Sequence, residues 1–416
     1  MSAGLLVLLL AGTALALAPA AGAAPNAPSP PTGTAPPAGS ARAPQLRSGT
    51  YRFAGTRTTG AAQAAQAPPL VPGTYTDTIG PGQTRWYAVR LDGVSTADLS
   101  VTAAPRPGVA VAYGDGLELT LTAAGTAAGT AAGTGTGGET SDGTSSGTSS
   151  GTSSGISSGS GTGTTVRDRG TTCDEASAHF GQDEGAMNVT GAVSRIPGQH
   201  QLTDCDRAGR FLLAVHRTSA AGSDRRRWPL ELAYATEAPL PPGTVPAAAR
   251  TDHGPATAPV TGTPKDVTGG TGFNDAPRVG PGVWRDRLLP GQTRYYKLHL
   301  GWGQQLSYDA DFANEPLPPG ALPPTVSFAA ASLYAPGRLP VRDASNGRTS
   351  AAYDGSPVSV GLGTVPVTWT NRWVPGGPAQ QVHSAGDYWI ALGLGPDAAR
   401  LARGTPVGVV LRVRVS

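Results

Sequence analysis

The stretch "PGQTRWYAVRL", Pro81 to Leu91, returns as "PGQTRYYKLHL", Pro290 to Leu300, at an offset of 209 in a chain of 416 residues. Pro-Gly suits the central positions of a type II turn, where glycine supplies the positive φ. After the turn, Tyr87, Val89 and Leu91 alternate with Trp86, Ala88 and Arg90. In the second copy Tyr296, Leu298 and Leu300 alternate with Tyr295, Lys297 and His299. Period two with one apolar face predicts a half-buried strand in each copy.

The similarity runs outward from this strand. "PGTYTDTI" (Pro72 to Ile79) matches "PGVWRDRL" (Pro281 to Leu288), and "LSVTAA" from Leu99 matches "LSYDAD" from Leu306. Later, "AGRFLLAVHR" (Ala208 to Arg217) matches "AGDYWIALGL" (Ala385 to Leu394), and "PLELAY" corresponds to "VVLRVRV". Short strands separated by turn residues, without helical periodicity, predict an all-β chain of two tandem β-sandwich, jelly-roll-like domains. The late strands are offset by 177 rather than 209, so the first copy must hold an insertion of 32 residues. The Gly/Ser/Thr tract from Gly125 to Thr165 is that insertion, a composition with almost nothing to bury. The expected order is a first sandwich over 55–237, a Pro/Ala/Thr-rich linker over 238–267 and a second sandwich over 268–416. Residues 24–54 read as a disordered Pro/Ala-rich leader.

Charge points to no nucleic-acid partner: 31 Lys+Arg against 28 Asp+Glu leave a net +3. The apolar run Leu5 to Ala18, followed by small-x-small sites at Ala16–Ala18 and Ala21–Ala23, reads as a signal peptide over 1–23. No other apolar run approaches the ~20 residues of a membrane span, so no transmembrane segment is expected in the mature chain. In an oxidising compartment the two cysteines, Cys173 and Cys205, favour a disulfide; a pair of buried thiols is the other reading.

The strand after "PGQT", the "AG-aromatic" strands and the alternating last strand resemble bacterial pre-peptidase C-terminal domains, which are secreted β-sandwiches appended to hydrolases. The pair also resembles a group of exported actinobacterial proteins with two such units. Similar modules accompany von Willebrand A domain proteins, which implies an adhesive or envelope context. Some relatives bind calcium through carboxylates and carbonyls, which makes Asp115, Asp174 and Asp183 candidate oxygen ligands.

Catalytic motifs are few. "GTSSG" at Gly147 to Gly151 fits G-x-S-x-G, but it lies in a repeat that generates the pattern by chance, where no strand-to-helix elbow can form. His179, His200, His216, His253, His299 and His383 show no metal-ligand spacing. Two surface features remain. "DRRRW" places Arg225, Arg226 and Arg227 beside Trp228, suited to anionic wall polymers. The second copy holds Trp284, Tyr295, Trp302, Trp369, Trp373 and Trp389, aromatic side chains of the kind that glycan and protein interfaces use. The expected function is therefore that of an exported, non-catalytic binding or cell-envelope-associated protein. Its partner would be a cell-wall polymer or an envelope protein, such as a von Willebrand A domain protein. The alternatives are an accessory subunit of a secreted hydrolase, or a hydrolase with a triad assembled in space.

Overall fold

The computed structural model describes residues 50–109, 111–124, 170–181, 188–199, 203–255, 258–315, 319–320, 327–402 and 405–416. The expected signal peptide, the leader up to residue 49, the tract 125–165, Asp183 and His200 lie outside the described residues. Among the described residues no helix is long and apolar enough to cross a membrane.

Among the described residues, ten strands build the first sandwich: β1 (Thr56–Arg57), β2 (Pro69–Leu70), β3 (Gly73–Ile79), β4 (Thr84–Leu91), β5 (Thr96–Ala103), β6 (Gly116–Ala123), β7 (Thr171–His179), β8 (Val189–Arg195), β9 (Gly209–Thr218) and β10 (Trp228–Glu237). Ten more build the second: β11 (Lys265–Asp266), β12 (Gly282–Leu288), β13 (Gln292–Leu300), β14 (Leu306–Phe312), β15 (Phe328–Ala335), β16 (Leu339–Pro340), β17 (Ser350–Ala352), β18 (Val358–Gly363), β19 (Gly386–Leu394) and β20 (Val407–Val415). The sheets of the first run β1-β3-β10-β5-β8 and β2-β4-β9-β6-β7. Those of the second run β11-β12-β20-β14-β18 and β13-β19-β15-β16, with β17 also on β15. In each, eight strands wind through two facing sheets in the order of a jelly roll. The chain is two tandem β-sandwiches.

The registers restate the sequence offsets. Thr84 pairs with His216 and Leu91 with Gly209. In the second copy Thr293 pairs with Gly393 and Leu300 with Gly386. These are the same positions moved by 209 on one strand and by 177 on the other. One match needs correction. Leu99 pairs with Tyr234, but Leu306 pairs with Val415, and it is Tyr308 on Val413 that occupies the equivalent place. A two-residue slip keeps the inward face, so alternation alone could not exclude it.

The repeated stretch makes the same network twice. Gly82 and Gly291 take φ of 64° and 73°, and the turn closes from Gln83 N to Gly80 O and from Gln292 N to Leu289 O. The side-chain Oε1 of Gln83 accepts from Gly80 N, and that of Gln292 from Leu289 N, each at 3.0 Å. Tyr87 and Tyr296 are buried, and their hydroxyls donate to Asp77 Oδ2 and Asp286 Oδ2 at 2.8 Å. The same carboxylates accept the amides of Gly60 and Gly269, whose carbonyls in turn accept from Arg85 and Arg294. A side chain at Gly60 would lie 2.6 Å from the Tyr87 ring. Turn, strand and preceding loop are thus locked by one Gln, one Arg, one Tyr and one Asp per copy.

Each sandwich has its own core, one around Leu99, Leu119, Val215 and Leu232 and the other around Leu298, Leu333, Ile390 and Leu411. A disulfide joins Cys173 on β7 to Cys205, with Cα atoms 5.6 Å apart. Two boundaries differ from expectation. Tyr51 and Phe53, within the stretch read as leader, pack in an aromatic cluster with Phe273, Tyr295 and Tyr334. Lys265 and Asp266, read as linker, form β11 in parallel with β12. Elsewhere in that stretch, Arg250 N donates to Asn371 Oδ1 and the carbonyl of Ala247 accepts from Thr370. Composition hid this because most of the bonding uses main-chain atoms, which any residue supplies.

Candidate functional site at the seam between the sandwiches

Polar and aromatic side chains from both domains meet along one seam. Glu231 on β10, fully buried, accepts from Tyr51 Oη at 3.2 Å, Ala54 N at 2.6 Å and Asn274 Nδ2 at 2.8 Å, and pairs with Arg338 Nη1. Arg338 lies over the Phe273 ring at 4.7 Å. Tyr295 Oη donates to Asn188 Oδ1 at 2.6 Å. Further along, Arg372 donates to Thr96 Oγ1 at 2.7 Å and to Glu237 Oε2 at 2.8 Å, and Ser384 Oγ donates to the same Glu237 oxygen. Each buried charge therefore has a partner from the other domain, as a buried ion requires.

Beside Arg372, Asp98 of the first sandwich approaches His383 of the second, with Nε2 4.0 Å from Oδ2. Burial pushes Asp98 up to about 6 despite the donated hydrogen bond from Ser194 and the nearby Arg372. Burial and the Arg372 charge push His383 down to about 4. The contact is therefore between a neutral imidazole and a carboxyl that ionises reluctantly; it is not a salt bridge. Ser194 Oγ lies 2.7 Å from Asp98 Oδ1. Ser, Asp and His thus stand together in the wrong order for acyl transfer, because the carboxyl separates the hydroxyl from the imidazole that would have to activate it.

A cleft of about 600 Å³ opens over this seam. One wall is the edge strands β7 and β8; the other is Ser332, Tyr334, β16 and the segment Gln380 to His383. Gln381 Oε1 and His383 Nε2 are buried there without a hydrogen-bond partner. Near the cleft, but not lining it, the loop after β13 and the turn Trp369–Trp373 bring three indoles together. Trp302 is 53% exposed and lies 6.4 Å from Trp369. The Arg372 guanidinium stacks on Trp369 at 3.3 Å and lies 5.9 Å from Trp373, which is 43% exposed. Trp373 Nε1 reaches across to Pro197 O at 2.9 Å, next to Ile196 of the cleft wall.

Of the aromatic candidates, then, Trp302, Trp369 and Trp373 come together and the others do not. Tyr295 is fully buried against the first sandwich, so it is no surface contact. Trp389 is partly buried beside Phe273. Trp284 sits apart, donating to Gly280 O with Lys265 5.7 Å from its ring. Arg225 and Arg226 are exposed, while Arg227 lies down on Thr78 and Gln83. That loop is organised from inside by Arg217, buried on Trp228 at 3.5 Å and donating to the carbonyls of Asp224 and Arg226. Of the oxygen-ligand candidates, the two within the described residues accept hydrogen bonds from the fold. Asp115 is fully buried and accepts from Ala112 N, Ala220 N and Ser223 Oγ. Asp174 lies on β7 rather than in a loop and accepts the amides of Glu175 and Ser194. Among the described residues no group of three or more His, Cys, Asp or Glu side chains is placed to hold a metal ion. Asp98, Arg372 and His383 carried no sequence signal, because each is defined only by the docking of one domain on the other.

The chain matches no family model and no curated protein. Among solved structures it is similar to the tandem CBM22-1–CBM22-2 domain of Paenibacillus barcinonensis Xyn10C, at 9% identity and TM-score 0.19, covering 83% of this chain and 86% of that one. A protein from Burkholderia cenocepacia gives 12% identity and TM-score 0.18, covering 85% and 82%. The Broad Bean Stain Virus structure gives 8% and 0.21, covering 86% and 91%. Scores this low bear on neither ancestry nor ligand.

Proposed function

We propose that the protein is an exported, non-catalytic binding protein of the cell envelope that grips a wall polymer or envelope protein at the seam. The observation that carries this is the exposed pair Trp302 and Trp373, with half-buried Trp369 between them, near a polar cleft. Indole faces left in water favour burial against sugar rings or apolar side chains, while the hydroxyl, amide and carboxyl groups of the cleft supply orientation. The bond from Trp373 Nε1 to Pro197 O of the other domain holds that end of the row in place, which limits the entropy lost on binding.

The test is retention of the mature chain by an envelope fraction, against a variant carrying Trp302→Ala, Trp369→Ala and Trp373→Ala whose folding is checked by circular dichroism. A folded variant should bind at least about thirtyfold more weakly, on the scale of about 2 kcal/mol or more for an aromatic anchor. Equal retention of both proteins, or of neither, would remove the reading.

A further inference from the structure

The network built twice around the repeated stretch borders an open groove in each sandwich, about 380 Å³ in the first and about 700 Å³ in the second. Both grooves take a threonine (Thr59 or Thr268), the locked carboxylate (Asp77 or Asp286) and the shared arginine (Arg85 or Arg294) from equivalent positions. The remaining cations come from different positions. The first groove has Arg57 and Arg227, where the second has Asp266 and Pro406; the second has Arg285 and Arg287, where the first has Thr76 and Thr78. Each groove thus carries three arginines, from different sources. The scaffold alone needs only one of them.

Two details point the grooves toward an anion. In both copies the same donor, Nε of the shared arginine, is buried without a hydrogen-bond acceptor. The carboxylates at the floor are occupied by donors from the fold: Asp77 by Gly60 N, Thr78 N and Tyr87 Oη, and Asp286 by Gly269 N, Arg287 N and Tyr296 Oη. Arg285, though exposed, is paired with Asp266, and Arg227 is held on Thr78 and Gln83, so Arg287 in the second groove and Arg57 in the first are the exposed arginines left for a ligand. Guanidinium groups beside a hydroxyl match the geometry of phosphate oxygens.

We propose that each sandwich binds one phosphate group in this groove, so that the chain carries two equivalent phosphate sites separate from the tryptophan row. Titration of the full chain with inorganic tripolyphosphate by calorimetry should show two sites, weakening as salt rises because exposed charges are screened over about 10 Å at 0.1 M. Arg57→Gln and Arg287→Gln should each leave one site and the double variant none. Arg106→Gln, exposed and outside both grooves, should keep two, as should the triple tryptophan variant. A glycerol-phosphate oligomer titrated in parallel tells the source: tighter binding than tripolyphosphate assigns the sites to a phosphodiester polymer, weaker binding to free phosphate. Absence of saturable tripolyphosphate binding, or two sites surviving in the double variant, would overturn the proposal.

Discussion

Asp98 and His383 show how one contact at the seam makes stability depend on pH in two opposed ways. With its carboxyl pushed up to about 6 from the ordinary 3.8, Asp98 holds its proton more tightly in the folded chain. Its contribution is therefore full below pH 3.8 and lost as pH rises through 6. His383, pushed down to about 4 from 6.5, contributes fully above pH 6.5 and loses that as pH falls through 4. At pH 8 the protein bears the whole cost of a buried carboxylate. Asp98→Asn keeps an acceptor for Ser194 and removes that charge. Urea unfolding should find the variant more stable than wild type at pH 8, by up to about 3 kcal/mol, with the gain gone at pH 4. A variant less stable at pH 8 would mean that Arg372 depends on the Asp98 charge more than burial opposes it.

At the scale of elements, the sequence repeat carried much information because the paired strands are tied by registers that a period-two pattern expresses. Tyr87, Val89 and Leu91 face inward as their alternation requires, and so do Tyr296, Leu298 and Leu300. β7 was not legible. "TTCDEASAH" alternates weakly and carries an acidic pair, which suits a sheet edge as well as a loop. What holds β7 is its ladder with β6 on one side and the Cys173–Cys205 bond, which closes a loop of 32 residues. Asp174 adds a bridge from that edge to the Ser194 amide on β8. Replacing both cysteines by alanine should cost about 2–4 kcal/mol, read from urea midpoints under oxidising conditions. Amides of β7 should lose hydrogen-exchange protection before those of β4. A loss spread evenly over the first sandwich would show instead that the bond stabilises the domain without pinning its edge.

The whole molecule adds what neither repeat contains. Alternation predicted the inward faces, but it could not say that the outward Tyr295 would be buried by the first sandwich, nor that Tyr51 would fold back to join it. The seam is legible only once two folded units are docked, because most of its partners lie more than a hundred residues apart in sequence. Its ties are mixed: an aromatic cluster, the Tyr295–Asn188 bond, and the buried pairs Arg338–Glu231 and Arg372–Glu237. With two cores and one such joint, wild type should unfold in a single calorimetric transition as long as docking outweighs the stability difference between the sandwiches. Arg338→Ala leaves Glu231 buried with only neutral donors, a loss of the order of 3–5 kcal/mol if the seam stays shut. Opening the seam lets water reach Glu231, so the variant should escape that cost by undocking, and the single transition should split in two. Coupling Arg338→Met with Glu231→Gln removes both charges and should restore one transition, since a neutral pair leaves nothing to hydrate. If Arg338→Ala still melts in one transition at an unchanged temperature, the aromatic cluster rather than the ion pair holds the domains together.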